Sequence, residues 1–299
     1  MVASDGAPQW LDREEVRAGK PTGDDISRLV RRGFGLRKFV PPVLPGAANA
    51  LMMLTANPSA DFAQIAELVR SDMGIAGRIL ELANSPLYMT GDPIASIEQA
   101  ISRLGATVLG ELAAVVSLEI AVFDHPGYHR ALMEVRNHCV AVARLAEAVC
   151  EELHIQNQWI PIAGLFHDCG IAASLVLIAT AYGDDTPPLE EAWDELDRVH
   201  AKAGWHVVKA WGVPEPVAEI VKGHHDLSGQ GEVKRAQAVI CVADMLAAEG
   251  ASAIRGEAPV VPDTIDLRTF GEACALLELG ESALRGLRLD AEDFVASFD

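Results

Sequence analysis

The chain has 299 residues, half of them apolar and few aromatic, enough for two domains or one large one with well-formed cores. A net charge of −19 argues against a protein whose main task is gripping a phosphate backbone, so no direct nucleic-acid binding is expected. No apolar run of about 18 residues is free of charge, so no membrane span is expected either.

The opening, MVASDGAPQW, has neither a basic n-region nor an apolar h-region. The five cysteines, Cys139, Cys150, Cys169, Cys241 and Cys274, form no CxxC pair and several sit inside apolar runs. Both features predict a cytoplasmic protein with reduced core thiols. Residues 1–38 read as a polar lead-in. Its basic run over 26–39, with Arg28, Arg31, Arg32, Arg37 and Lys38, reads as a solvated helix face, and a contact for an acidic partner is the alternative. Pro41, Pro42 and Pro45 predict an extended entry. Residues 39–124 form an N-terminal helical bundle of four or five helices, punctuated at Asn57-Pro58-Ser59, Ser85-Pro86, Gly91-Asp92-Pro93 and Gly105. Ser96 with Gln99 predicts a capping box ahead of Ile97, Ala100, Ile101 and Leu104.

The sequence Asp124-His125-Pro126-Gly127-Tyr128 predicts a domain junction, and a second helical block occupies 125–250. Loops are expected near 153–158, 182–188, 212–214 and 226–232. A C-terminal extension, 251–299, holds a Pro/Val segment over 258–262 and helical patterns around 269–279 and 282–287. No sustained strand alternation occurs, so the predicted class is all-α.

Polar groups on apolar stripes carry the chemistry. Glu134 and His138 share a helix face with Val142, Leu145 and Val149. The run over 159–171 is apolar on every side until His167 and Asp168, with Gly164 and Gly170 leaving room for close backbone approach. His200 lies on a stripe with Gly204, Val207 and Trp211. A shorter helix opening at Pro214 leads to His224 and His225. The run over 236–248 is apolar except for Gln237 and Asp244. An inward carboxylate costs several kcal/mol unless paired or metal-bound. Taken singly, each residue has an ordinary structural explanation, and together they could form a hydrogen-bonded network holding five helices in register. A shared locus of imidazole and carboxylate ligands for two transition-metal ions, iron or manganese, explains the eight more economically.

His138, then His167-Asp168, then Asp244 match the H…HD…D order of the HD superfamily of metal-dependent phosphohydrolases. Glu134, His200 and His224-His225 resemble the fuller ligand set of its HD-GYP branch, whose members hydrolyse cyclic di-GMP. Other stretches resemble more narrowly the HDOD family of bacterial signal transduction. They are Pro41-Pro42-Val43-Leu44-Pro45, RILELANSPLY over 78–88, SIEQAISRLG over 96–105, Gly164-Leu165-Phe166-His167-Asp168, Trp211-Gly212-Val213-Pro214 and His224-His225-Asp226. The resemblance implies an all-α fold, an N-terminal helical bundle packed against an HD-like helical domain. It implies a regulatory module with a possible binuclear metal site, acting on a signalling partner protein or a small nucleotide ligand. Two departures bear on activity. The lysine that HD-GYP proteins carry after the glycine matching Gly170 is Ile171 here, and Leu227 to Glu232 (LSGQGE) replaces the GYP motif. Both weigh towards a non-hydrolytic module and leave metal binding open. The alternative is a metal-dependent phosphohydrolase or cyclic-dinucleotide phosphodiesterase with His167 and Asp168 as catalytic residues; an iron-dependent oxygenase is a third.

Overall fold

Apolar residues recurring at three- and four-residue intervals fold here as helices, and every regular element among the described residues is helical. The structure is a computed structural model. It describes residues 22–35, 46–55, 57, 59–70, 79, 82–85, 88, 94, 96–121, 125–157, 159–210, 213–255 and 266–296. The proline entry at 41–45, Pro58, Pro86, Gly91-Asp92-Pro93, Asp124, Trp211-Gly212 and the segment 258–262 lie outside them. Two compact units result, one of residues 43–121 and one of residues 1–42 with 122–299.

The smaller unit contains α2 (Gly46–Thr55), α3 (Phe62–Arg70) and α4 (Ile97–Ala121), numbered in chain order. Leu51, Met52, Ile65, Val69, Ile79, Ile97, Ile101 and Leu109 form its core. Ser96 Oγ accepts the Gln99 N–H at 3.5 Å, the expected capping contact, and donates to Glu98 at 2.6 Å. Gly105 interrupts α4 with φ 78°, a conformation that strains any side chain. Asn84 clamps Ile94 from both sides, accepting its N–H at 2.8 Å and donating to its carbonyl at 2.7 Å. Arg103 donates to the Ala83 carbonyl at 3.0 Å.

The larger unit begins with α1 (Gly23–Gly35), inside the stretch expected to be a polar lead-in. Ile26 and Val30, one turn apart, are fully buried, and α1 packs on α8 (Leu189–Ala210) and α7 (Cys169–Tyr182). Arg28, Arg31 and Arg32 of the basic run are exposed, and Arg31 also reaches Glu195 of α8, while Arg37 and Lys38 lie outside the described residues. The unit continues with α5 (His129–Glu152), α6 (Ile160–Phe166), α7, α8, α9 (Glu215–Lys222) and α10 (Gly231–Arg255). It closes with α11 (Leu267–Leu277) and α12 (Glu281–Ala296), which pack on α10.

The segment Ile160–Asp185 is long and apolar enough to cross a membrane by length and composition, but 94% of its most apolar window is buried inside the fold. It is also broken at His167-Asp168, between α6 and α7. It is the central core element of this unit, and α5, α8, α9 and α10 pack around its two halves.

Candidate metal centre

Five chain segments deliver polar side chains to one interior locus. His138 comes from α5, His167 and Asp168 from the α6–α7 break, His200 from α8, His224 and His225 from the turn after α9, and Asp244 from α10. Close helix packing brings them together. A Cβ on Gly164 would meet the Ala143 backbone at 3.0 Å, and one on Gly170 would meet the His200 carbonyl at 2.0 Å. Glycine at 170 is what lets α7 approach α8 this closely, and a Cβ at 164 would crowd the α5 backbone.

The ring orientations are fixed from behind. Nδ1 of His167 lies 2.7 Å from the Gly164 carbonyl, Nδ1 of His200 lies 2.7 Å from the Asp197 carbonyl, and Nδ1 of His224 lies 2.6 Å from the Val221 carbonyl. A carbonyl only accepts, so each Nδ1 carries a proton and donates, leaving Nε2 turned inward. Backbone-held imidazoles of this kind are the usual outer support of metal-bound histidine.

Asp168 divides its carboxylate between two groups. Oδ2 faces His167 Nε2 at 3.4 Å and His138 Nε2 at 3.9 Å, while Oδ1 faces His200 Nε2 at 3.5 Å and His224 Nε2 at 3.7 Å. Asp244 Oδ1 joins the first group, 2.9 Å from His138 Nε2 and 3.7 Å from His167 Nε2. His225 joins the second, its Nε2 2.7 Å from that of His200. The ligand atoms of His138, His167 and Asp168 lie within 4.8 Å of one another, as do those of Asp168, His200, His224 and His225, and those of His167, His224 and Asp244.

Electrostatics separates the histidines. Burial opposes protonation of His167, but the Asp168 and Asp244 carboxylates outweigh it and raise its pKa well above the ordinary value. Burial of Asp168 and Asp244 is likewise outweighed, chiefly by His167, so both stay ionised well below the usual carboxylate range. Burial holds His200 neutral, and with the neighbouring imidazoles of His224 and His200 it pushes His225 down to about 2. Buried Nε2 of His167 and of His224, Oδ1 of Asp168 and Oδ2 of Asp244 make no hydrogen bond. Inward-facing imidazole nitrogens, two ionised carboxylates and buried polar atoms without a hydrogen bond fit a cation.

Of the eight residues singled out in the sequence, seven converge. Glu134 is not in the converging groups; its carboxylate lies 3.7 Å from Arg130 Nε. Cys169 is fully buried with its Sγ 3.9 Å from the Gly204 carbonyl, and burial raises its pKa. Gln237 was legible only as a polar exception in an apolar run, yet it holds the turn that carries His224 and His225. Its Nε2 donates to the Glu219 carbonyl at 2.7 Å, and its Oε1 accepts the Gly229 N–H at 2.8 Å. A partner set on backbone atoms eight and eighteen residues away leaves no local signature.

Comparison with known proteins agrees with this architecture. A Treponema pallidum (strain Nichols) protein without assigned function is 25% identical over 200 residues, covering 62% of this chain. The chain spans only 38% of that relative's length. Among solved structures, a Shewanella amazonensis SB2B protein provisionally named a metal-dependent phosphohydrolase superposes with a TM-score of 0.68 at 20% identity, covering 93% of this chain and 99% of its own. An HDOD domain protein of unknown function from Geobacter sulfurreducens superposes with a TM-score of 0.58 at 19% identity, covering 91% and 98%. These likenesses show the fold. The HDOD domain family matches residues 42–227, well over half of the sequence, and the chain belongs to the HDOD family.

Proposed function

We propose that this chain is a non-hydrolytic signalling module whose HD-like domain holds a binuclear transition-metal centre, iron or manganese. His138, His167 and Asp244 would hold one ion, His200, His224 and His225 the other, and Asp168 would bridge them. Glu134, one turn before His138, is the eighth candidate. The observation that carries this reading is the split carboxylate of Asp168, with one oxygen facing each group of imidazoles. Imidazole and carboxylate donors suit iron and manganese. The input would come from a signalling partner protein or a small nucleotide ligand in the cytoplasm.

Support for a non-hydrolytic role comes from the site's surroundings. Ile171, fully buried, stands where related phosphodiesterases carry a lysine for substrate phosphate. Among the converging side chains, His167, Asp168, His200, His224 and Asp244 are buried, and the His138 side chain is 25% exposed. A phosphoester would therefore have a narrow approach. The second reading, a phosphohydrolase, draws on the same ligand set. A metal pair supplies an activated water and neutralises phosphoryl charge when bound.

Elemental analysis of untagged protein purified without oxygen or chelator tests the proposal. Close to two equivalents of iron or manganese, lost in Asp168→Ala, supports the centre, and metal near zero removes it. Turnover of cyclic dinucleotides or simple phosphoesters above a metal-stripped control would replace the non-hydrolytic reading with the second one.

A further inference from the structure

We infer a second binding site, separate from the metal centre: the groove between α1 and α8 takes a small organic anion of the phosphate-monoester class with an apolar body. The groove has a volume of about 310 Å³, at the small end of ligand-sized clefts. Val30, Val199 and Ala203 give it apolar walls, and Arg31, Arg198 and Lys202 give it charge.

Glu195 organises that charge. It is a carboxylate only 5% exposed, accepting Ser27 Oγ–H at 2.9 Å and Arg31 Nε–H at 3.0 Å and pairing with Arg198. It pins both guanidinium groups while cancelling one of three positive charges. Lys202 is exposed and has no ion pair among the described residues. A local surplus of two positive charges therefore persists in a chain whose net charge is −19.

Each feature narrows the ligand. Pinned guanidinium groups match the planar oxygen edges of phosphate and lose little freedom on binding. A phosphate monoester carries about −1.5 to −2 charges at neutral pH, close to the surplus. The apolar walls favour an ester over inorganic phosphate, and the small volume excludes a bulky ligand. Val199 and Lys202 flank His200 on α8, so this groove and the metal centre share one helix, although neither site requires the other.

Phenyl phosphate is the probe, titrated calorimetrically into the full chain after metal has been stripped with chelator. The expected result is saturable one-to-one binding that weakens as salt rises, with phenol giving no heat. Lys202→Glu, an exposed change that leaves the melting temperature in place, should weaken it about tenfold or more. Lys209→Gln, on the same helix but paired with Glu215, should leave it unchanged. Absence of binding in the stripped protein, or binding indifferent to Lys202→Glu, overturns the inference. Neither result bears on whether the metal centre exists.

Discussion

Gly170 and His200 meet backbone to backbone: a Cβ on Gly170 would lie 2.0 Å from the His200 carbonyl oxygen and 2.5 Å from the Gly204 nitrogen. Neither neighbour is a flexible side-chain tip, so Gly170→Ala must push α7 away from α8. Overpacking of this kind costs about 1–3 kcal/mol, and more where only backbone can yield. Because His200 rides on the displaced helix, its distance to Asp168 should lengthen as well. Gly170→Ala should lower both the melting temperature and the metal retained after dialysis; an unchanged melting temperature would show that the helices are less tightly apposed.

The division of Asp168 between two groups predicts unequal effects for the two carboxylates. Asp244 faces His138 and His167, whereas the cluster of Asp168, His200, His224 and His225 does not contain it. Asp244→Asn should therefore leave close to one equivalent of metal, and Asp168→Asn should leave little of either. Elemental analysis of the two purified variants separates these outcomes. Equal losses would mean that the two positions fill as one unit.

The pKa shifts give the metal-free protein a stability optimum in pH. His167 has a raised folded pKa, so its contribution is complete below the unfolded value of about 6.5 and is lost as pH rises through the folded value. His200 and His225 have lowered folded pKa values, so below about pH 6.5 the unfolded chain binds their protons and stability falls with acid. Asp168 and Asp244 add a further loss below the ordinary carboxylate range, where the unfolded chain takes up protons first. Thermal melts of stripped protein should peak near pH 6.5. Bound metal would displace the His167 proton, so the loaded protein should keep its stability on the alkaline side. A flat alkaline limb in the stripped protein would contradict the pairing of His167 with the two carboxylates.

Periodicity made most of the site legible because polar residues on buried stripes are conspicuous against apolar neighbours. His138 follows the Val142, Leu145 and Val149 face, and Asp244 interrupts the apolar stretch of α10 that follows Gln237. The HDOD motifs in the smaller unit also have visible structural work, in the clamp of Asn84 on Ile94 and the bond from Arg103 to Ala83. What the sequence concealed depends on contacts between distant positions. The buried side of α1 rests chiefly on Ile26 and Val30, too narrow a stripe to stand out among its charges. Glu195 reads as one acid in an acidic helix, and its burial depends on Ser27 and Arg31, more than 160 residues earlier. The C-terminal helices were recognisable, but α12 runs to Ala296, well past the expected 287, because charged residues on its outer face mask the spacing of Leu287, Ala291 and Val295.

Gln237 offers the sharpest separation of support from ligation. It is buried, touches none of the converging ligand atoms in the bonds it makes, and ties the Glu219 carbonyl to the Gly229 N–H on either side of His224 and His225. Gln237→Leu keeps most of the volume and removes both bonds, leaving a donor and an acceptor unsatisfied, at a cost of about 1–3 kcal/mol each when buried. Gly223 adds a second constraint, since a Cβ there would meet Gln237 Nε2 at 2.2 Å, so the turn and the glutamine fit as a pair. The cluster of His138, His167 and Asp168 is delivered by α5 and the α6–α7 break and does not depend on this turn. Gln237→Leu should therefore lose metal from the His200, His224 and His225 side while keeping close to one equivalent, in parallel with a lower melting temperature. Loss of both equivalents would mean that the turn holds the whole centre together, and loss of neither would assign the placement of His224 to its Val221 contact alone.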